Sequence, residues 1–174
     1  MTTYLTHTFR QTSMAKIYLE MLINAPIERV FDLARSIDLH KLSTKGTKEE
    51  AIGGRTTGLI ELNETVTWRA KHFGIYQTLT VVLTQFERPN LFADKMVKGT
   101  FSSMKHTHKF DQIDNGTKMT DIFEFTSPLG FIGRLAETIF LKTYMTKFLV
   151  TKNQVLKSVA EGDKWNQLIG AEYL

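Results

Sequence analysis

Four polar residues stand out in a chain otherwise rich in apolar and aromatic side chains: His72, His106, His108 and Asp121. An imidazole changes charge near neutral pH, so it can take or give a proton or ligate a metal. His106 and His108 lie two residues apart, which on a strand puts both rings on one face with Phe110. By the same parity Asp121 shares a face with Met119, Phe123 and Phe125, and Trp68 shares one with His72. Such groups among aromatics suit three kinds of work: orienting a ligand, moving a proton in turnover, or satisfying a core. Imidazoles on a mostly apolar face are more often satisfied by a carbonyl or a neighbouring Asp than used in turnover. The four residues are therefore candidates for catalysis, and none is assigned to it. His106 and His108 can also ligate one ion, with His72 or Asp121 joining them. No third ligand lies near them in sequence, so no metal and no cofactor is expected.

Other chemistry is excluded by what is missing. The chain has no cysteine, hence no disulfide, thiolate metal site or cysteine nucleophile. No G-x-S-x-G occurs, and Gly53-Gly54-Arg55 is a turn, since the phosphate-loop spacing is absent. The net charge of +4 comes from scattered residues with no basic run beyond two, so a nucleic-acid partner is not expected. No apolar run is long enough to span a bilayer. The cysteine-free composition suits a reducing cytosol, and a cytoplasmic protein is expected.

Elements must position these groups, and periodicity supplies them. Lys16 to Asn24 alternates as a strand, with Ile17, Leu19, Met21 and Ile23 on one face. Pro26 opens a short amphipathic helix to Ser36, and Asp38 is placed to cap a second helical turn with Leu39 and Leu42. From Lys48 to Phe125 the period is two. Segments 49–52, 58–73, 75–86, 91–97, 101–110 and 118–125 read as strands. Gly53-Gly54, Gly74, Arg88-Pro89-Asn90 and Asp114-Asn115-Gly116 punctuate them. From about Phe131 to Glu161 the helical period returns, and Gly162 ends it. At 1.5 Å per residue this helix is about 45 Å long, enough to cross a whole sheet. Residues 1–13 read as a leader before Met14, the alternative being an extra strand; His7 falls there and carries no weight. Residues 14–161 form one domain and 162–174 a tail, where Trp165 can dock back.

This order predicts an α+β fold: a curved antiparallel sheet of about seven strands wrapped around a long C-terminal helix. Sheet and helix do not close tightly over their full length, which leaves a cavity. Twelve Phe and seven Met give that cavity a soft wall, or simply an ordinary core. The residues expected to line it are Trp68, His72, Phe101, His106, His108, Phe110, Met119, Asp121, Phe123, Tyr144 and Phe148. His40 either guards its mouth or is exposed.

Particular residues carry a resemblance to a known family. They are Ile23-Asn-Ala-Pro-Ile-Glu-Arg-Val-Phe-Asp32, Val66-Thr-Trp-Arg-Ala-Lys-His-Phe-Gly74, His106-Thr-His108-Lys-Phe110, Met119-Thr-Asp121 and Pro128-Leu-Gly130. From about Met14 to Glu161 the chain resembles the START and birch-pollen-allergen (SRPBCC) superfamily, with its helix-grip fold. Within it the chain is similar to bacterial cyclase/dehydrase-like proteins, some named cell-division inhibitors. The resemblance implies a cavity for a small hydrophobic, lipid-like or polyketide-like molecule, and no catalytic signature. Three functions follow as expectations: a ligand binder or carrier without bond chemistry, a cyclase or dehydratase using the His/Asp cluster, and a protein-interaction module. The first leads, so an enzyme is the lesser expectation. No protein partner is identified.

Overall fold

Alternation of apolar and polar residues yields seven strands, and the computed structural model describes residues 14–127 and 134–170. The chain runs β1 (Ala15–Ile23), α1 (Ile27–Ala34), α2 (Ile37–Ser43) and a short 3₁₀ turn (Lys45–Thr47). Then come β2 (Glu50–Gly54), β3 (Thr65–His72), β4 (Ile75–Glu87), β5 (Leu91–Lys98), β6 (Ser103–Ile113) and β7 (Gly116–Thr126). The long helix α3 covers Arg134–Glu161, and α4 covers Asn166–Ile169. The strands form one antiparallel sheet in the order β1-β7-β6-β5-β4-β3-β2. β1 and β2 are thus opposite edges, and α1 and α2 carry the chain between them. The expected helix-grip architecture is what the molecule adopts.

Residues 1–13 and the Pro128-Leu-Gly130 motif lie outside the described residues, as does the expected helix start at Phe131. On α3 the buried residues are Met145, Leu149, Asn153, Leu156 and Ala160. Their spacing of three and four draws a single stripe down one side of the helix. That stripe packs on β1, α1 and α2.

The core below α1 is aromatic. Phe31 is fully buried and meets Phe86, Phe92 and Phe110 edge-on, with centroids 5.4–5.5 Å apart. Asp32 beside it is buried too and is held by Arg35 and Arg88, each at 2.8 Å. Trp165 docks back, as expected, with the Arg29 guanidinium 4.3 Å over its ring. In the β6–β7 hairpin Asp114-Asn115 form the turn, and Gly116 follows at φ 143°. A Cβ there would stand 2.2 Å from the Ile23 carbonyl oxygen, so only glycine lets β1 end this close.

Three local expectations are corrected. Ser36, not Asp38, caps α2, its Oγ accepting from the Leu39 N–H at 3.2 Å. Asp38 instead accepts from the Gly58 N–H at 2.7 Å and pairs with Lys41, stitching α2 to the next loop. The strand expected over 58–73 begins only at Thr65, because Gly58 and Asn63 adopt left-handed backbone at φ 72° and 67°. Gly53-Gly54 does not end β2; the strand runs through both, with a bulge after Ala51.

Candidate functional site

The sheet, α2 and α3 enclose a cavity of about 420 Å³. Its walls are mainly apolar, with Val66, Ala70, Val81 and Leu83 from β3 and β4 facing Leu149 and Met145 of α3. Of the residues expected to line it, Trp68, His72, Phe101, His106, His108, Phe123, Tyr144 and Phe148 do so. Phe110, Met119 and Asp121 do not. They share the predicted face, but Phe31 packs on Phe110, Met119 lies across from Phe110, and His106 and His108 contact Asp121. Strand parity gives the face of a residue but not its height.

Polar groups are gathered at three places in this wall. The first spans three neighbouring strands and α3. His108 on β6 lies directly across from Asp121 on β7, and His106 directly across from Asp94 on β5. Asp121 Oδ1 is 2.5 Å from His108 Nδ1 and 3.5 Å from His106 Nε2. Its other oxygen accepts from the Asn153 Nδ2 amide at 2.5 Å. His106, His108, Asp121 and Asn153 are buried, and Asp94 is half-buried. The His106 and His108 rings are 3.9 Å apart, and Phe92 stacks on His108 at 4.3 Å.

At the second place, His40 lies flat on the Trp68 indole, centroids 3.9 Å apart, with Nε2 3.2 Å from Glu49 Oε2. His40 is therefore part of the cavity wall, and not an exposed residue. At the third, His72 Nδ1 and the Tyr144 hydroxyl share a hydrogen bond of 2.7 Å. Here the wall meets solvent, since Phe73 and Phe140 beside Tyr144 are more than half exposed. Thus His106, His108 and Asp121 converge, whereas His72 stands apart with Tyr144.

Comparison with known proteins gives this architecture a family. The model of the family described as polyketide cyclase / dehydrase and lipid transport matches residues 14–161. The chain belongs to that family. Among solved structures, a Thermus thermophilus protein matches with a TM-score of 0.68 at 18% identity, covering 83% of this chain and 95% of its own. An aromatase/cyclase from a Streptomyces species matches with a TM-score of 0.68 at 14% identity, over 86% and 94% of the two chains. A major latex-like protein of Panax ginseng matches with a TM-score of 0.63 at 12% identity, over 84% and 97%. At these identities the likeness is one of fold. No curated protein matches the chain.

In this member of the family, burial sets the charge states of the cavity wall. Desolvation holds the imidazoles of His40, His72, His106 and His108 below their ordinary range, so they are neutral at pH 7. Burial works to raise Asp121, but His108, His106 and their hydrogen bonds outweigh it and hold the carboxyl well below the usual range. Burial also works against ionised Glu49, and there His40 and Lys152 prevail. Asp94 is the exception, pushed up by burial.

These directions fix a sign for pH dependence. Imidazoles in the unfolded chain take up protons near pH 6.5, while the buried ones resist. Below that pH the unfolded state binds more protons, so stability falls as pH falls. Asp121 adds a loss only below about pH 4, and Asp94 acts in the opposite sense between the ordinary carboxylate range and its raised value. The thermal midpoint is expected to drop between about pH 7.5 and about pH 5.5. A midpoint that stays level or rises over that window, followed by circular dichroism, would contradict the neutral imidazoles.

Several residues of the site are not singled out by the sequence, and two of them carry a signal in it. Among the described residues Asn153 is the one polar residue on the buried stripe of α3. Asp94 alternates with Phe92 and Met96, an acid on an apolar face of β5. Glu49, just before β2, and Lys152, among other charged residues of α3, left none.

Proposed function

We propose that this protein holds a small amphipathic molecule, polyketide-like or lipid-like, in the cavity between sheet and α3. One observation supports this above the rest: a cavity of about 420 Å³ with aliphatic and aromatic walls and polar groups at a few defined points. Binding sites for small molecules have this size and this division of labour, apolar area for affinity and few polar groups for orientation. The family description names both polyketides and lipids, and the Streptomyces relative is named an aromatase/cyclase. We place the work in the cytoplasm on the cysteine-free composition; among the described residues no helix is long and apolar enough to cross a membrane.

A second reading, cyclase or dehydratase chemistry, rests on Asp121 and Asn153. A carboxylate anchored on one oxygen and touching His108 Nδ1 with the other orients that ring, and His108 lines the cavity. This is how a general base is held. Cyclisation of a poly-ketone and loss of water both need such a group near the carbon that gives up a proton.

The test of the binding reading is native mass spectrometry of freshly purified full-length protein. The expected result is a co-purifying apolar mass of one molecule per chain, released by organic extraction. Protein that carries nothing, and that fails to bind the apolar dye 8-anilinonaphthalene-1-sulfonate saturably, would defeat the reading.

A further inference from the structure

The cavity wall gathers carboxylates around few cations. Three carboxylates face it or stand directly behind it: Glu49, Asp94 and Asp121. Glu49 has His40, and Asp121 has His108 and Asn153. Among the described residues no other side chain pairs with Asp94, whose carboxyl accepts from its own backbone N–H. The cations that line the cavity are two. Arg35 is taken up by Asp32 and Glu61, and Lys152 remains as a single positive charge acting on Asp94, Glu49 and His108. A carboxylate withdrawn from water calls for a proton or a cation.

The same place supplies a ligand set. One donor atom from each of Asp94, His106 and His108 lies within 4.8 Å of the other two. Strand register brings this about, since Asp94 faces His106 across β5 and β6, with His108 two residues on. Behind them Asp121 Oδ1 touches both rings. In addition, His106 Nε2, His108 Nδ1 and Asp121 Oδ1 are buried without a well-directed hydrogen bond.

We propose that Asp94, His106 and His108 bind one divalent transition-metal ion, with Asp121 steadying the two imidazoles from behind. Two imidazole nitrogens and one carboxylate oxygen suit zinc, iron or cobalt, whereas calcium and magnesium prefer oxygen alone. Bonds of about 2.0–2.2 Å put ligand atoms roughly 3–4 Å apart, so the site closes with a shift of about 1 Å. Among the described residues no other side chain holds the Asp94 carboxyl against that shift. A metal-ligating histidine commonly rests its other nitrogen on a carboxylate, the role Asp121 fills. Three protein ligands leave a coordination position open to the cavity, for water or for an oxygen of a bound molecule. The sequence reading assigns no metal, because Asp94 precedes His106 by twelve residues and is joined to it only by the sheet. The proposal goes beyond ligand binding and stands whether or not the cavity holds an apolar molecule.

The experiment uses the full chain, stripped by dialysis against a chelator and titrated with Co²⁺ under visible absorption, then with competing Zn²⁺. One equivalent of Co²⁺ is expected to bind, give ligand-field bands and be displaced by Zn²⁺. Asp94→Asn is expected to weaken Co²⁺ binding at least about tenfold, while the metal-free variant keeps or gains thermal stability. His108→Gln is expected to abolish the bands. Absence of saturable Co²⁺ binding would overturn the proposal. So would binding that Asp94→Asn leaves within about twofold of the parent, which would place the ion elsewhere. Should His108→Gln fail to fold, Asp94→Asn alone decides, since among the described residues no other side chain bonds to its carboxyl.

Discussion

Asp121→Ala is expected to destabilise the protein by roughly 3 kcal/mol, the scale of breaking a buried charged contact by removing one partner. The carboxylate is 1% exposed and joins three elements: its own strand β7, the imidazoles of β6 and the Asn153 amide of α3. Alanine leaves the Asn153 amide buried without an acceptor, at a cost of about 1–3 kcal/mol, and removes the carboxylate beside both imidazoles. Asp121→Asn keeps one acceptor oxygen and should lose less. Urea denaturation near neutral pH measures both. If Asp121→Ala loses under about 1 kcal/mol, the carboxylate is not the anchor of α3, and the orientation of His108 loses its basis.

Ala70→Trp is expected to abolish binding of 8-anilinonaphthalene-1-sulfonate and of any co-purifying molecule, a loss of at least about tenfold in affinity. Ala70 lies on β3 between Trp68 and His72, is 4% exposed, and has only a methyl group facing the cavity. An indole at this point projects into space already lined by apolar side chains, so it competes with the ligand more than with the core. Overpacking a filled core would cost about 1–3 kcal/mol; with a void to enter, the variant should stay well below that. Dye titration against the parent protein reads the effect. Parent-like affinity in a folded Ala70→Trp protein would mean that the dye binds outside this cavity and that the functional reading is misplaced.

Much of the site was visible before any fold was known. His106 and His108 were paired on one face from their spacing, Asp121 was set among Met119 and Phe123, and Trp68 was joined to His72. Heights along the strands were not available, and that is why Phe110 and Met119 were expected in the cavity but belong to the core under α1. His72 looked equal to the other histidines, yet it sits beside Tyr144 toward the solvent end. Asp38 was read as a cap because its type and position fit, while the neighbouring Ser36 does the capping and leaves Asp38 for Gly58.

By itself the sequence determined the elements, their order and the face each residue presents, because periods of two and 3.6 are properties of the local backbone. It also determined that a long helix must cover an antiparallel sheet, since one apolar face of that sheet needs a partner. Only the tertiary structure decided which residues meet. Register across β5, β6 and β7 set Asp94, His106, His108 and Asp121 side by side, and the docking of α3 brought Asn153 onto Asp121. Register depends on turns, bulges and packing far along the chain, so no local pattern could supply it.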